Sequence, residues 1–123
     1  MPDLMWVTDK QHQLIYVNAA WLNYRGVTLE SEMGNGWIEH IHPEDKEQVL
    51  QERRQAFVVQ QPYAITFRLK KNDGCYRWMN MKGNPIYSDA GLFKGYAGTA
   101  LDITPVKEAQ IQIRRQQELM EST

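Results

Sequence analysis

The chain has 123 residues, of which 42% are hydrophobic and 24% are charged, and its 14 basic and 15 acidic side chains give a net charge of −1. That length suits one domain with its own core, and the near-neutral charge excludes a nucleic-acid binder that depends on a strongly basic surface. No apolar stretch approaches the roughly 18 residues of a membrane span, so we expect no direct membrane contact. The single cysteine, Cys75, excludes an intrachain disulfide and favours a reducing compartment, which predicts a cytoplasmic location.

The first third of the chain predicts a β-hairpin followed by two short helices. Apolar, β-prone segments at Met5–Thr8 and Leu14–Val17 flank a polar turn, which is typical of a hairpin. Asn18 is a good helix N-cap, and Gly26 can end the following helix in the left-handed conformation. A second short helix is predicted over residues 28–32.

A longer helix is predicted over Pro43–Val59. Proline is favoured at the first helical position, and the acidic residues directly after it suit the helix dipole. Val49, Ala56 and Phe57 recur at i, i+7 and i+8, which places them on one helix face. The adjacent pair Arg53–Arg54 is interpreted as facing solvent.

The second half of the chain predicts strands. Apolar and polar residues alternate there, which indicates strands over residues 63–71, 75–87 and 92–103. Asn-Asp-Gly at 72–74 predicts a tight hairpin turn, since these residues tolerate positive φ. Pro85 predicts an irregular or edge position, and Gly95 and Gly98 predict a bulge or a close approach by another group.

The last segment predicts an exit helix. Thr104 is a candidate N-cap with Pro105 at the first helical position. Residues at alternating spacings of three and four form a heptad seam with glutamine at two of its places. The seam consists of Ile103, Val106, Gln110, Ile113, Gln117 and Met120. The pattern predicts a coiled coil, and the alternative is a helix that folds back on its own domain.

This order of elements resembles a PAS domain followed by its PAC segment. Three segments carry the resemblance: WIEHIHPED at Trp37–Asp45, FRLKKNDGCYRWM at Phe67–Met79 and GYAGTALDIT at Gly95–Thr104. The resemblance implies an α+β fold: a five-stranded antiparallel sheet in the order 2-1-5-4-3, with helices over one face. It also implies a PAS/PAC sensory domain over residues 1–104 and the start of a coiled-coil signalling helix over residues 105–123.

The resemblance also suggests where function resides. Family members enclose a small pocket between the sheet and the helices, and Asp102 and Thr104, in the family's Asp-Ile-Thr ending, link the last strand to the signalling helix. Alternation directs all of the pocket candidates except Tyr96 to one sheet face, where an ordinary core is the other interpretation. The candidate pocket residues are Ile65, Phe67, Leu69, Met79, Met81 and Tyr96.

Two cofactor types known in the family find no matching residues. Light-sensing members carry a photoactive cysteine before the long helix, whereas residues 34–39 contain none, and Leu69 and Met79 stand where those members use amides. Haem-binding members usually place a histidine inside the long helix, and residues 48–57 contain none. We therefore expect neither cofactor mode, and a different flavin mode or a small organic ligand stays open.

A cluster of histidines and carboxylates permits a metal-site or enzyme interpretation. His40, His42 and Asp45 offer possible metal ligands or catalytic groups, but their position at a proline-initiated helix favours a role in helix entry. We expect no metal site and no catalytic residue. His12 lies in a predicted turn and is interpreted as solvated.

These observations predict one sensory and dimerisation module cut from a larger signalling protein. The expected partners are a second copy of the chain, an output domain that is a histidine kinase or a diguanylate cyclase, and a possible small-molecule ligand. A flavin- or haem-loaded sensor is the first alternative. A small enzyme that uses His40, His42 and Asp45 is the second.

Overall fold

The computed structural model of the protein describes residues 3–122. The first two residues of the predicted domain and the last residue of the predicted exit helix therefore lie outside the described part. The strands are β1 (Leu4–Thr8), β2 (Leu14–Val17), β3 (Tyr63–Lys70), β4 (Tyr76–Tyr87) and β5 (Phe93–Asp102). The helices are α1 (Ala19–Arg25), α2 (Leu29–Glu32), a short 3-10 helix (Gly36–His40), α3 (Pro43–Val59) and α4 (Thr104–Glu121).

The five strands form one antiparallel sheet in the order β2-β1-β5-β4-β3. Two successive hairpins join β3 to β4 and β4 to β5. Strand β5 also pairs with β1, which places β1 between β2 and β5. The first four helical segments, α1, α2, the 3-10 helix and α3, lie in the connection between β2 and β3. The predicted fold class and strand order are thus confirmed.

Local sequence signals account for the helix ends. The Asn18 side chain accepts a hydrogen bond from the Trp21 N–H at the start of α1, and Gly26 ends that helix at φ 65°. The predicted bounds of α3 are confirmed, and at its start the Nδ1 of His42 accepts from the Glu44 N–H at 3.1 Å. The Asn18 cap and Pro43 with its His42 cap thus fix where α1 and α3 begin.

Pro85, Gly95 and Gly98 lie at the edge position and the close backbone approaches that the sequence predicted for them. Pro85 lies beyond Gly83, where the pairing of β4 with β3 ends, so it is flanked by β5 alone. A Cβ on Gly98 would lie 1.8 Å from the carbonyl oxygen of Lys82, and Gly95 has a φ of 136°. The close approach predicted for these glycines is therefore confirmed.

The core lies between the sheet and the helices of the β2–β3 connection. Aromatic and aliphatic side chains from both layers are buried there, and methionine fills part of the sheet face. The largest fully buried apolar residues are Trp21, Ile41, Val49, Phe67, Leu69, Met79 and Tyr96.

Helix α4 leaves the domain instead of folding back on it. Thr104 is the one buried residue among those described in α4, and the side chains from Glu108 onward are exposed. The alternative of a helix packed along its own domain is therefore wrong for this structure. None of the described helices combines the length and apolarity that a membrane span requires.

Candidate functional site

The six predicted pocket residues lie together on the buried face of the sheet. Each is at most 3% exposed. Ile65 pairs with Met81, and Phe67 pairs with Met79, in the β3–β4 register. The hydroxyl of Tyr96 lies 2.9 Å from the carbonyl of Ala56 and 2.7 Å from that of Gln61, at the end of α3. Tyr96 therefore joins the sheet to the end of α3.

The enclosed space beside this face is small and displaced from the predicted centre. It has a volume of about 10 Å³, roughly that of one water molecule. Met81 is the one member of the predicted six that lines it. The lining residues are Trp6, Thr8, Leu14, Trp21, Trp37, Arg53, Tyr63 and Met81. The assignment of the six residues to a ligand pocket stays a prediction.

The closed interior does not fit a flavin or a haem. Pockets for ligands of that size typically occupy about 300–1,000 Å³, far above the 10 Å³ enclosed here. Leu69 and Met79 contribute apolar side chains to the sheet face and offer no amide to a flavin ring. A ring cofactor would therefore require extensive repacking of the core.

Arg53 is buried in this interior, which corrects the interpretation of Arg53–Arg54 as a solvent-facing pair. Arg54 is exposed, but Arg53 is only 5% exposed because it lies on the same face of α3 as Val49 and Phe57. Its Nη2 donates to the carbonyl of His12 at 3.3 Å. Its Nε is buried and has no hydrogen-bond partner within residues 3–122.

The prediction that His12 is a solvated turn residue is also wrong. It has a φ of 65°, and its ring stacks on Phe57 at a centroid distance of 5.1 Å. Its Nε2 lies 3.4 Å from the hydroxyl of Tyr63. Burial and the positive charge of Arg53 lower the pKa of His12 to about 4, although Asp9 acts in the opposite direction. The ring is therefore neutral at physiological pH.

An open groove lies outside this cluster, between the β1–β2 turn and α3. Its volume is about 420 Å³, and Arg53 lines both the groove and the small inner cavity. Half-buried apolar side chains and amides form most of its wall. The lining residues are Gln11, His12, Gln13, Asn35, Ile38, Leu50, Arg53, Arg54 and Phe57.

A second polar cluster joins the sheet to the exit helix through Asp102. Its Oδ2 accepts from the Tyr24 hydroxyl at 2.6 Å and from Arg77 Nε at 2.9 Å, and its Oδ1 accepts from the Thr104 N–H at 2.9 Å. Burial raises the pKa of this carboxyl, but the hydrogen bonds from Tyr24, Thr104 and Arg77 outweigh burial and bring the pKa to about 2. One carboxylate thus connects α1, β4 and the start of α4.

Thr104 does not cap the exit helix as expected. It is the first helical residue, and Ile103 before it makes no side-chain cap. The Oγ1 of Thr104 instead accepts from the Trp78 N–H at 2.8 Å, while the Ile103 N–H donates to the Trp78 carbonyl at 2.8 Å. Thr104 therefore fastens α4 to β4, and Asp102 satisfies the first free N–H of the helix.

A buried ion pair between Arg25 and Glu32 was missed in the sequence. Glu32 is fully buried, and its carboxylate meets Nη2 of Arg25 at 2.9 Å and the Trp21 indole N–H at 2.7 Å. Arg25 also donates to the carbonyl of Lys70. The pair joins α1 and α2 to β3, which is a structural role.

The histidine and carboxylate cluster considered for an enzyme serves helix entry. Asp45 accepts from the backbone N–H and the guanidinium of Arg68 at 2.8 to 3.0 Å, and these hydrogen bonds lower the pKa of its carboxyl. His42 caps α3 as described above. Within residues 3–122, no group of three or more His, Cys, Asp or Glu side chains is arranged to hold a metal ion.

The family of the chain follows from comparison with known sequences. The family described as PAS fold matches residues 14–100, which is most of the chain. The chain belongs to the PAS fold family. The family resemblance seen in the sequence is thereby confirmed.

The similar proteins include histidine kinases. The chain is 35% identical over 109 residues to y4lL of Sinorhizobium fredii, covering 89% of the chain and 13% of that protein. It is 29% identical over 111 residues to the peroxide stress-activated histidine kinase mak1 of Schizosaccharomyces pombe, covering 83% of the chain and 7% of the kinase. The chain therefore spans a small part of either relative.

A solved PAS structure has the same fold. The N-terminal domain of a diguanylate cyclase with a PAS/PAC sensor from Marinobacter aquaeolei superposes with a TM-score of 0.77 at 20% identity. The match covers 86% of this chain and 99% of that domain. The PAS fold and membership of a family found in sensory kinases together support a sensory input module.

Proposed function

We propose that this PAS domain is an input module that passes a ligand- or partner-induced change to a covalently linked output domain. The output is a histidine kinase or a diguanylate cyclase, as in proteins similar to this chain. The domain itself carries no catalytic activity in this proposal, since His42 and Asp45 are engaged at the entry to α3.

The observation that carries the proposal is the position of Asp102. Its carboxylate bonds to α1 through Tyr24, to β4 through Arg77 and to the first N–H of α4. A shift of α1 or of the sheet face therefore reaches the exit helix directly. Thr104 adds a second connection from α4 to β4. Switching then requires two arrangements of this cluster for which the ligand or partner has different affinities.

A chimera tests this route. Residues 1–123 replace the PAS domain of a histidine kinase, and autophosphorylation is measured for Asp102→Ala and for the exposed control Asp89→Ala. We expect the Asp102→Ala chimera to fold but to hold autophosphorylation at one level whether or not the signal is present. The Asp89→Ala control should respond to the signal as the wild-type chimera does. Tyr24→Phe, which removes one hydroxyl, separates signalling from stability. Wild-type responses from both Asp102→Ala and Tyr24→Phe would contradict the route.

We also propose that α4 forms a parallel coiled coil with a second copy of the chain. Val106 and Ile113 of the heptad seam are 55% and 54% exposed, and an isolated helix of this length is marginal in water. Gln110 and Gln117 weaken the seam, so we expect a concentration-dependent dimer.

The oligomeric state of the whole chain tests the dimer. Sedimentation should show that Ile113→Glu abolishes association, because it places a charge in the seam. Ile111 is a matched control, since it is 49% exposed and lies off the seam. Ile111→Glu should dimerise as wild type does. A wild-type chain that stays monomeric at millimolar concentration would count against the coiled coil.

A further inference from the structure

Arg53 is a buried cation without a counter-ion in the described part of the chain. It forms none of the salt bridges found there, and the acceptors that it meets, the carbonyl of His12 and the hydroxyl of Tyr63, are neutral. The Tyr63 hydroxyl lies beside it, but burial raises the pKa of that phenol, which therefore carries no charge. A buried charge is unfavourable unless it is paired.

Trp37 supplies a second buried donor at the same place. Its indole Nε1 lacks a hydrogen-bond partner within residues 3–122, as does the Nε of Arg53. The guanidinium carbon of Arg53 lies 4.9 Å from the centre of the Trp37 ring, and both residues line the inner cavity. An indole N–H and a guanidinium only donate hydrogen bonds. The Nε1–H of Trp37 and the Nε–H of Arg53 therefore each lack an acceptor within residues 3–122.

The groove between the β1–β2 turn and α3 gives access to Arg53 from solvent. Arg54 adds a second positive charge to its wall, and among residues 3–122 no acidic side chain lines either the groove or the cavity. Asp9 belongs to the same turn, but its Oδ1 accepts from the backbone N–H groups of Gln11 and Gln13 at 2.9 Å each. The groove is thus open, cationic and partly apolar.

We propose that this groove binds a small organic carboxylate, with the carboxylate against Arg53 and the apolar part along Ile38, Leu50 and Phe57. A guanidinium presents a planar fork that matches a carboxylate. The apolar wall favours an organic acid over inorganic phosphate. The inference rests on the proposed sensory function, because it names the class of ligand that the domain senses.

Nitrogen-15 NMR of the whole chain with benzoate tests the site. Benzoate joins a carboxylate to an apolar ring, and benzamide has nearly the same shape without the charge. We expect benzoate to shift the Trp37 Nε1–H and Arg53 Nε–H signals in a saturable manner. Benzamide and inorganic phosphate should each bind about tenfold more weakly or worse. Equal binding of benzoate and benzamide would overturn the proposal, as would stronger binding of phosphate.

Two adjacent arginines provide a matched pair of variants. Arg53→Met should weaken benzoate binding by about tenfold or more, whereas Arg54→Met, which removes an exposed charge from the groove wall, should weaken it by only about two- to fivefold. Thermal unfolding verifies that each variant is folded. Arg53→Lys keeps the charge without the planar fork and should bind with intermediate affinity. Binding that survives in both Arg53 variants, or is lost in Arg54→Met alone, would refute the assignment.

The kinase chimera separates this inference from the proposed function. Benzoate binding that depends on Arg53 but leaves kinase activity unchanged would overturn the signalling role and leave the binding site standing. A chain that binds no benzoate, in a chimera that still depends on Asp102, would overturn the carboxylate site alone.

Discussion

Two buried arginines of this domain have opposite electrostatic surroundings. Arg25 and Arg53 are 3% and 5% exposed. Arg25 meets the carboxylate of Glu32 through two of its nitrogens, and the Trp21 indole completes that carboxylate's hydrogen bonds. Arg53 meets neutral acceptors, and its Nε lacks a partner in the part of the chain described here.

The difference indicates which region serves the fold and which serves binding. Around Arg25, donors and acceptors are matched, so the corner where α1 and α2 meet β3 is complete without a ligand. Around Arg53, donors exceed acceptors and the residue borders an open groove. Buried polar groups are normally satisfied, and an exception in a cleft is a candidate functional site.

The largest effect is expected from a change that gives Arg25 the surroundings of Arg53. Glu32→Gln leaves a buried guanidinium with neutral partners, and breaking a buried pair in this way costs about 3–5 kcal/mol. Urea unfolding should show that loss in the free energy of unfolding.

The matched control lies on the same short helix. Glu30 is exposed, so Glu30→Gln should change the free energy of unfolding by less than about 0.5 kcal/mol. If Glu32→Gln were as mild as its control, an unpaired buried arginine would be well tolerated in this fold. The argument that Arg53 requires an anion would then lose its physical basis.

The second effect is a pH dependence that originates beside Arg53. The pKa of His12 is about 4 in the folded protein, below the ordinary 6.5. As the pH falls, His12 therefore gains its proton in the unfolded chain before it does so in the folded chain. The stability that neutral His12 contributes is thus fully present above about pH 6.5 and is lost between about pH 6.5 and 4. With solvent screening, we expect a loss of about 1–2 kcal/mol from this residue.

His12→Asn should remove that decline, since asparagine tolerates the positive φ and does not titrate. Thermal unfolding between pH 4 and 7 measures the slope for the variant, the wild type and the control His40→Asn. An unchanged slope in His12→Asn would show that the histidine is not held neutral by its surroundings.

Sequence patterns predicted the sheet and α3 well because those elements have short-range signals. Proline at position 43 and alternation in β3 and β4 act within a few residues, so their bounds follow from local chemistry. Arg53 had a signal too: it stands four residues after Val49, on the apolar face of α3, where an arginine is exceptional. That position should have marked it as buried.

Other features had no local signal. Arg25 and Glu32 belong to different helices, and their contact depends on how the chain turns between them. The hydrogen bond from the Trp78 N–H to Thr104 joins residues far apart in sequence. The volume enclosed beneath the sheet depends on side-chain packing across several elements, so alternation identified the buried face without showing how little space it leaves.

A smaller effect is expected from removing the unpaired charge itself. Arg53→Met replaces a guanidinium with an apolar side chain, and replacing a buried charge is often neutral or stabilising. The lost hydrogen bond to His12 offsets part of the gain, so we expect a change within about 1 kcal/mol. Arg25→Met, which leaves Glu32 buried and unpaired, should cost about 3–5 kcal/mol. Equal losses in urea unfolding would show that the two arginines are not different in kind.

The smallest effect is expected from placing a carboxylate in the groove. Asn35 is exposed on the groove wall and accepts a hydrogen bond from Gln13 at 3.4 Å, and Asn35→Asp keeps both its shape and that acceptor. Stability should change by less than about 0.5 kcal/mol. Because the new charge repels an anion near Arg53, benzoate should bind about two- to fivefold more weakly at low salt. The control Asn84→Asp, an exposed site away from the groove, should leave the affinity unchanged, so equal effects of the two variants would mean that benzoate responds to net charge and not to this groove.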